Sequence, residues 1–279
     1  MSDIKSGFAD INGAKIYYEV TGTGQPLVFV HAGIADNRLW DDQVPVFSQK
    51  YQVIRYDMRG YGKSEPVDLE FSHREDLIAL LGFLGIEKAI LVGCSMGGMI
   101  SMDTTFAAPE LVSALVMVCS GPNGLEIDLK DHPYTPIIEA KFEAVEAAEK
   151  AKDWALMNEI ETQIWFDGRG RTPTDIDPTK RAKALDMNRI AIEHAAKELG
   201  SYKKGIGVNA PERLEELTIP LLIIVGALDT PYALAVADVM VERIPNAQKV
   251  LIENTAHLPS LERPAEFNAV LSTFLDRIS

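Results

Sequence analysis

The sequence predicts an α/β protein whose mostly parallel central sheet is flanked by helices and interrupted by a helical insertion. Three observations carry this expectation. Short apolar runs alternate with helical patterns in both halves of the chain, the mark of a parallel sheet with crossover helices. Between about Gly121 and Pro211 that alternation stops and only helical periodicity remains. At the centre, the apolar run Ala89-Ile90-Leu91-Val92 leads through Gly93-Cys94-Ser95-Met96-Gly97 into Met99-Ile100-Ser101-Met102, the arrangement of a buried strand turning sharply into a helix.

The elements follow in order. Gly7-Phe8-Ala9-Asp10-Ile11 and Ala14-Lys15-Ile16-Tyr17-Tyr18-Glu19-Val20 flank Asn12-Gly13, a two-residue turn signal, and predict an antiparallel hairpin. Residues 27–30 and 51–56 read as short strands, the first apolar throughout in the manner of a strand buried on both faces. A helical stretch is expected around Trp40 to Ser48. A second runs from Leu69 to Leu84, where Leu77, Ile78, Leu80, Leu81 and Leu84 recur at helical spacing. Strand 88–93 and the central turn come next, then a strand-like run from Leu111 to Val118. In the insertion, Leu156, Met157, Ile160 and Ile164 share one helix face, while Phe142 with Val145 and Leu185 with Ile190 suggest further helices. The loop Gly168-Arg169-Gly170-Arg171-Thr172-Pro173 separates them. Alternation resumes with strand 220–225, a helix from Tyr232 to Arg243, strand 249–252 and a final helix opened by Pro264 with Phe267, Val270, Leu271, Phe274, Leu275 and Ile278 on one face. The expected organisation is a core made of residues 1–121 and 211–279, divided by an insertion over 122–210.

Composition bounds the function. The 279 residues, 47 % of them hydrophobic, suffice for one large core with an inserted subdomain. A formal charge of −14 and a pI near 4.8 disfavour nucleic acid and anionic membrane surfaces as partners. The start, Met1-Ser2-Asp3-Ile4-Lys5-Ser6, lacks the apolar run of a secretion signal, and no run of apolar residues is long enough to span a bilayer. Two cysteines do not make a disulfide framework and fit a reducing compartment. The expectation is a cytoplasmic protein, monomer or homodimer, that needs neither metal nor organic cofactor.

Glycines two before and two after Ser95 allow strand and helix to approach closely with the serine held at the apex, its hydroxyl exposed. Cys94 is the rival nucleophile, but Val92 and Met96 occupy the positions where its own turn would need glycine, so Cys94 reads as a buried small hydrophobe. A nucleophilic serine needs a base and an acid to orient that base. His257 lies in Asn254-Thr255-Ala256-His257, after the last strand, and Asp229 follows strand 220–225. The order Ser95, Asp229, His257 suits a strand–turn–helix nucleophile. The competing reading of Asp229 is as a cap for the helix beginning near Pro231. His73, His132 and His194 read as solvated side chains. His31, closing a strand in Val30-His31-Ala32-Gly33, reads as a structural loop residue. Gly33 and Met96 are the expected backbone donors to a tetrahedral oxyanion. Trp165 and Phe166 are candidates for lining a substrate pocket, against ordinary core packing.

On these residues the chain resembles the α/β-hydrolase superfamily, in the group of small bacterial esterases, lactonases and cofactor-free haloperoxidases. Asp57-Met58-Arg59-Gly60-Tyr61-Gly62-Lys63-Ser64 is similar to that group's D-x-R-G-x-G-x-S turn, and the segment from His257 to Pro264 to its tail pattern. Ala32 departs from the usual glycine. The resemblance implies the α/β-hydrolase fold, with residues 122–210 as a helical cap. It implies a serine hydrolase of small carboxylic esters or lactones acting through an acyl-enzyme intermediate. Carbon–carbon bond hydrolysis and perhydrolysis are alternatives on the same triad, and a small-molecule receptor that retains the triad is the alternative of another class.

Overall fold

The computed structural model describes residues 4–278; Met1, Ser2 and Asp3, read above as part of a leaderless start, lie outside the described residues. The chain opens with the predicted hairpin, β1 (Lys5–Ile11) and β2 (Ala14–Thr21), turning at Asn12 and Gly13, both at positive φ. Then follow β3 (Gln25–Val30), a 3₁₀ turn over Asn37–Trp40, α1 (Val44–Phe47), β4 (Tyr51–Tyr56), β5 (Glu70–Phe71) and α2 (His73–Phe83). Next come β6 (Ala89–Cys94), α3 (Met96–Ala107) and β7 (Val112–Val118). The insertion carries α4 (Thr135–Ala151), α5 (Trp154–Thr162) with a π turn over Gln163–Asp167, α6 (Pro178–Ala195) and β8 (Ser201–Tyr202). The chain returns through β9 (Leu221–Gly226), α7 (Pro231–Arg243), β10 (Ala247–Ile252), α8 (Pro259–Glu262) and α9 (Pro264–Ile278).

The main sheet has eight strands in the order β1-β2-β4-β3-β6-β7-β9-β10. β1 and β2 pair antiparallel with each other and β2 antiparallel with β4; every other pairing is parallel. β6 and β9 are buried along their whole length, as an apolar run covered on both faces must be. Parallel register brings the carboxyl ends of five strands to one edge: Val30 lies opposite Gly93, Cys94 opposite Val118, Val118 opposite Ile224, and Ile252 opposite Gly226. Loops leaving that edge must meet, which is where open α/β sheets place their sites.

Four expectations are corrected. The stretch from Trp40 to Ser48 is not one helix but the 3₁₀ turn and four-residue α1, because Asp41 and Asp42 intervene and Pro45 falls in the first turn of α1. The helix expected from Leu69 begins only at His73, capped by Ser72, whose hydroxyl accepts from Glu75 N. Glu70 and Phe71 instead pair with Ser201 and Tyr202, two-residue strands too short to show any period. That pairing buries His73 at 5 % exposure, with ring centroids 5.0 Å from Phe71 and 5.5 Å from Tyr202, so it is no solvated side chain. Burial drives its pKa down to about 3 and keeps it neutral. His194 is likewise buried, on the inward side of α6.

Candidate functional site

Ser95 stands at the end of β6 with φ 51° and ψ −118°, and α3 begins at the next residue. The glycines around it are required by contact: a Cβ on Gly93 would lie 2.3 Å from the Gly97 carbonyl oxygen, and one on Gly97 would lie 2.3 Å from that of Val30. Neighbouring strands fix the turn, since Ser95 N donates to Val118 O at 2.8 Å and Ser120 Oγ donates to Ser95 O at 2.6 Å. Met96 N is among the first amides of α3, which have no partner within the helix and carry the positive end of its dipole. Gly33 lies across from it, its Cβ position 3.7 Å from Met96 Cε.

His31 holds the Gly33 loop rather than facing a substrate. Its Nδ1 donates to Ala32 O at 2.8 Å while its Nε2 accepts from Met58 N at 3.0 Å, so the ring is neutral, as its burial also favours. Asp57 anchors the adjoining turn. One of its oxygens accepts from Asn37 N and Nδ2, both at 2.7 Å, and the other from Lys63 N at 2.9 Å. Arg59 pairs with Asp76 at 2.9 Å in the interior.

His257 and Asp229 meet over the same edge. Nδ1 of His257 lies 2.8 and 2.9 Å from the two carboxylate oxygens of Asp229, which can only accept, so Nδ1 carries the proton. Nε2, the bare nitrogen in the neutral ring, is buried without a hydrogen-bond partner among the described residues. The role of helix cap falls to Thr230, whose hydroxyl accepts from Ala233 N, so the competing reading of Asp229 is not what the structure displays. Asp229 also accepts from Thr230 N at 2.6 Å. Ser95 and His257 line one cavity of about 210 Å³ with Met99, Pro122, Trp165 and Tyr232.

Both cysteines are buried and burial pushes their thiols well above the usual range. Cys94 donates to His257 O at 3.5 Å and is enclosed, as expected of a small hydrophobe. Cys119, Asp229 and His257 offer three ligand atoms within 4.8 Å of one another. A metal there would have to displace the Asp229–His257 hydrogen bond, so this set fits a coupled acid–base pair better than a cation.

Of the two insertion aromatics, Trp165 reaches the cavity and Phe166 does not. The Trp165 ring lies 4.6 Å from that of His257 and 5.9 Å from that of Phe142, whereas Phe166 is fully buried in the core. Trp165 O accepts from His257 N at 3.1 Å. Further along, Arg169 N donates to Leu228 O at 2.9 Å and its Nη2 to Ala227 O at 2.8 Å. Arg171 donates to the carbonyls of Phe166, Asp167 and Asn254 and, at 2.7 Å, to Glu262. Glu262 in turn accepts from Ala256 N at 2.6 Å, next to His257. Burial outweighs the Arg171 cation and raises the Glu262 carboxyl to about 7. In the sequence the arginine loop reads only as a separator of helices; its one visible signal is a pair of arginines set between glycines.

The profile of the Alpha/beta hydrolase family matches residues 27–270. Among similar proteins, a 2-hydroxy-6-oxo-6-(2'-aminophenyl)hexa-2,4-dienoic acid hydrolase of Metapseudomonas resinovorans is 29 % identical over 97 % of this chain and 90 % of its own. A pimeloyl-[acyl-carrier protein] methyl ester esterase of Aliivibrio fischeri is 26 % identical over 94 % of this chain and 98 % of its own. The solved structure of Est816, an N-acyl homoserine lactone degrading enzyme, superposes with a TM-score of 0.74 at 25 % identity, covering 96 % of this chain and 100 % of that one. No helix among the described residues is long and apolar enough to cross a membrane. With the sheet order, the serine turn and a profile match over most of its length, the chain belongs to the alpha/beta hydrolase family.

Proposed function

We propose that the protein is a serine hydrolase of small carboxylic esters or lactones, with Ser95 as nucleophile, His257 as general base and then acid, and Asp229 as the group that orients His257. The observation that carries this reading is the one cavity that Ser95 and His257 both line, with Nδ1 of His257 held by buried Asp229. Nε2 takes the serine proton as Ser95 Oγ attacks the carbonyl carbon. The oxyanion that forms is received by the amides of Gly33 and Met96, where a helix N-terminus favours negative charge. His257 then returns the proton to the departing alcohol, leaving an acyl-enzyme that water opens by the same steps in reverse. Residues 122–210 form the cap over this site, with Trp165 as a wall of the pocket and Phe166 as core packing beneath it. Ester and lactone chemistry is named for similar proteins, Est816 and the Aliivibrio fischeri esterase among them.

The test is a panel of aryl esters of graded length, lactones and ring-fission products, run on wild type, Ser95→Ala and Cys94→Ala. Ser95→Ala should abolish measurable turnover and stoichiometric labelling by an active-site phosphonate while leaving the fold intact. Cys94→Ala should retain both. Equal loss in the chemical step for the two variants would overturn the assignment of Ser95, and turnover of ring-fission products alone would replace ester cleavage by carbon–carbon bond cleavage. Slow, few-cycle turnover on every compound would favour the receptor.

A further inference from the structure

A second cavity, of about 290 Å³, opens on the far side of the candidate oxyanion loop. Gly33, Ile34 and Tyr61 line it from the core, and Met157, Glu161 and Asn188 from the insertion. It shares no lining residue with the cavity of Ser95 and His257. The Met96 side chain stands beside the Gly33 loop here, its sulfur 3.9 Å from the Tyr61 hydroxyl and its Cβ 3.8 Å from the Cβ position of Gly33.

This geometry gives the two limbs of an ester different addresses. The general acid must reach the departing oxygen, so the alcohol leaves from the cavity that His257 lines. The acyl group, bonded to the other side of the carbonyl, is then left to the side of Gly33, which lines the second cavity.

One side chain sets the chemistry of that cavity. Asn188 Nδ2 donates to Glu161 Oε2 at 2.8 Å and to Asn158 Oδ1 at 3.0 Å, and Asn158 donates onward to Leu185 O at 3.0 Å. These bonds fix the carboxylate from one side. Oε1 of Glu161 has no partner, and no cation among the described residues pairs with it; Lys152 lies on the exposed rim, with Glu149 and Glu198 beside it. Burial raises the pKa of Glu161, against the lowering by the Asn188 hydrogen bond and with a smaller push from Glu149. A partly enclosed acceptor discriminates, because a ligand that covers it without donating to it leaves it desolvated and unpaired.

Building on the hydrolase reading above, we propose that this cavity is an acyl subsite in which Glu161 receives an N–H or O–H donor carried by the acyl chain, and which turns away chains ending in a carboxylate. Glu161 is then a specificity residue, not a catalytic one.

The probes are three nitrophenyl esters of equal chain length whose acyl groups end in methyl, hydroxyl or carboxylate, hydrolysed by wild type, Glu161→Gln and Glu161→Leu. In wild type the hydroxyl ester should exceed the methyl ester in kcat/KM by about tenfold, mainly through KM, and the carboxylate ester should fall below both. Glu161→Leu should bring the hydroxyl-to-methyl ratio to about one. Glu161→Gln, which keeps an acceptor oxygen, should retain part of that ratio and raise the carboxylate-to-methyl ratio by about tenfold. Ratios unaltered by either substitution overturn the proposal. If Glu161→Leu fails to fold, the carboxylate ratio in Glu161→Gln decides alone. Calorimetry of the matching non-hydrolysed amides with Ser95→Ala separates this claim from the hydrolase reading. Tighter binding of the hydroxyl amide that depends on Glu161, with no ester turned over, would sink the hydrolase reading and keep the subsite. Turnover with no such preference would do the reverse.

Discussion

Two stretches of the insertion face the same site and are held by different means. From Trp165 to Arg171 the chain is fastened to the loops after β9 and β10 and to α8 by hydrogen bonds to Ala227, Leu228, Asn254, His257 and Glu262. Helix α4 has only Ala148 buried, leaves Ile137 and Phe142 exposed, and meets the site through one aromatic contact, Phe142 on Trp165. The first stretch is continuous with the loops that carry Asp229 and His257, so its energetics and theirs cannot be separated. The second lies over it by packing alone, and packing of a half-exposed face tolerates substitution. A stretch tied to the His257 loop and a helix laid over it thus belong to one insertion, with α5 between them.

The largest effect is expected where the fastening is cut. Arg171→Met leaves Glu262 buried without its cation and frees three carbonyls, and should lower stability by about 3 kcal/mol in urea unfolding, with a loss of turnover beyond what unfolding explains. A loss within about 0.5 kcal/mol would mean the two stretches are held alike.

Trp165→Ala removes the ring tilted against His257 and should lower kcat/KM by about tenfold, altering the preference among alcohol groups while Ser95 still reacts with a small phosphonate. Equal losses for every substrate, with a lower melting temperature, would reduce Trp165 to packing.

Glu262 gives the comparison a pH axis. Burial pushes its carboxyl up to about 7 in the fold from the usual 4.5, so the folded chain binds the proton more tightly than the unfolded one. That contribution to stability is fully present below about 4.5 and lost as pH rises through about 7. The melting temperature of wild type relative to Glu262→Gln should therefore fall between about pH 5 and about pH 8. A constant difference would show that Glu262 does not titrate there.

The smallest effect is expected on α4. Ile137→Ser, at a side chain 50 % exposed, should alter stability by no more than about 0.5 kcal/mol and leave turnover of small esters unaltered. A larger loss would reveal a covering partner for this helix.

Which of these residues the sequence discloses follows from how far each depends on distant neighbours. Ser95, Asp229 and His257 are legible because each follows a strand at the same sheet edge, and parallel pairing alone brings such positions together. The sheet is legible for the same reason, down to the apolar runs of β6 and β9. Arg171 and Glu262 are 91 positions apart, and no local pattern marks either as half of a buried pair. His73 looks solvated beside Arg74, Glu75 and Asp76; what buries it is a two-residue strand pairing with Tyr202 from the far end of the insertion. Glu161 carries no signal in the sequence beside the apolar face of Leu156, Met157, Ile160 and Ile164, and only the fold shows that it lines a cavity.

Ser95 occupies a backbone region that suits glycine better than any residue with a side chain. Such a conformation costs on the order of 1–3 kcal/mol. Replacing Ser95 by glycine would relieve it, against about 0.5–1 kcal/mol for the greater freedom of glycine in the unfolded chain. A protein selected for endurance alone would therefore drift away from serine here. Libraries screened only for thermal resistance should enrich Ser95→Gly, and any stabilisation of this chain for use has to be scored on turnover at every round.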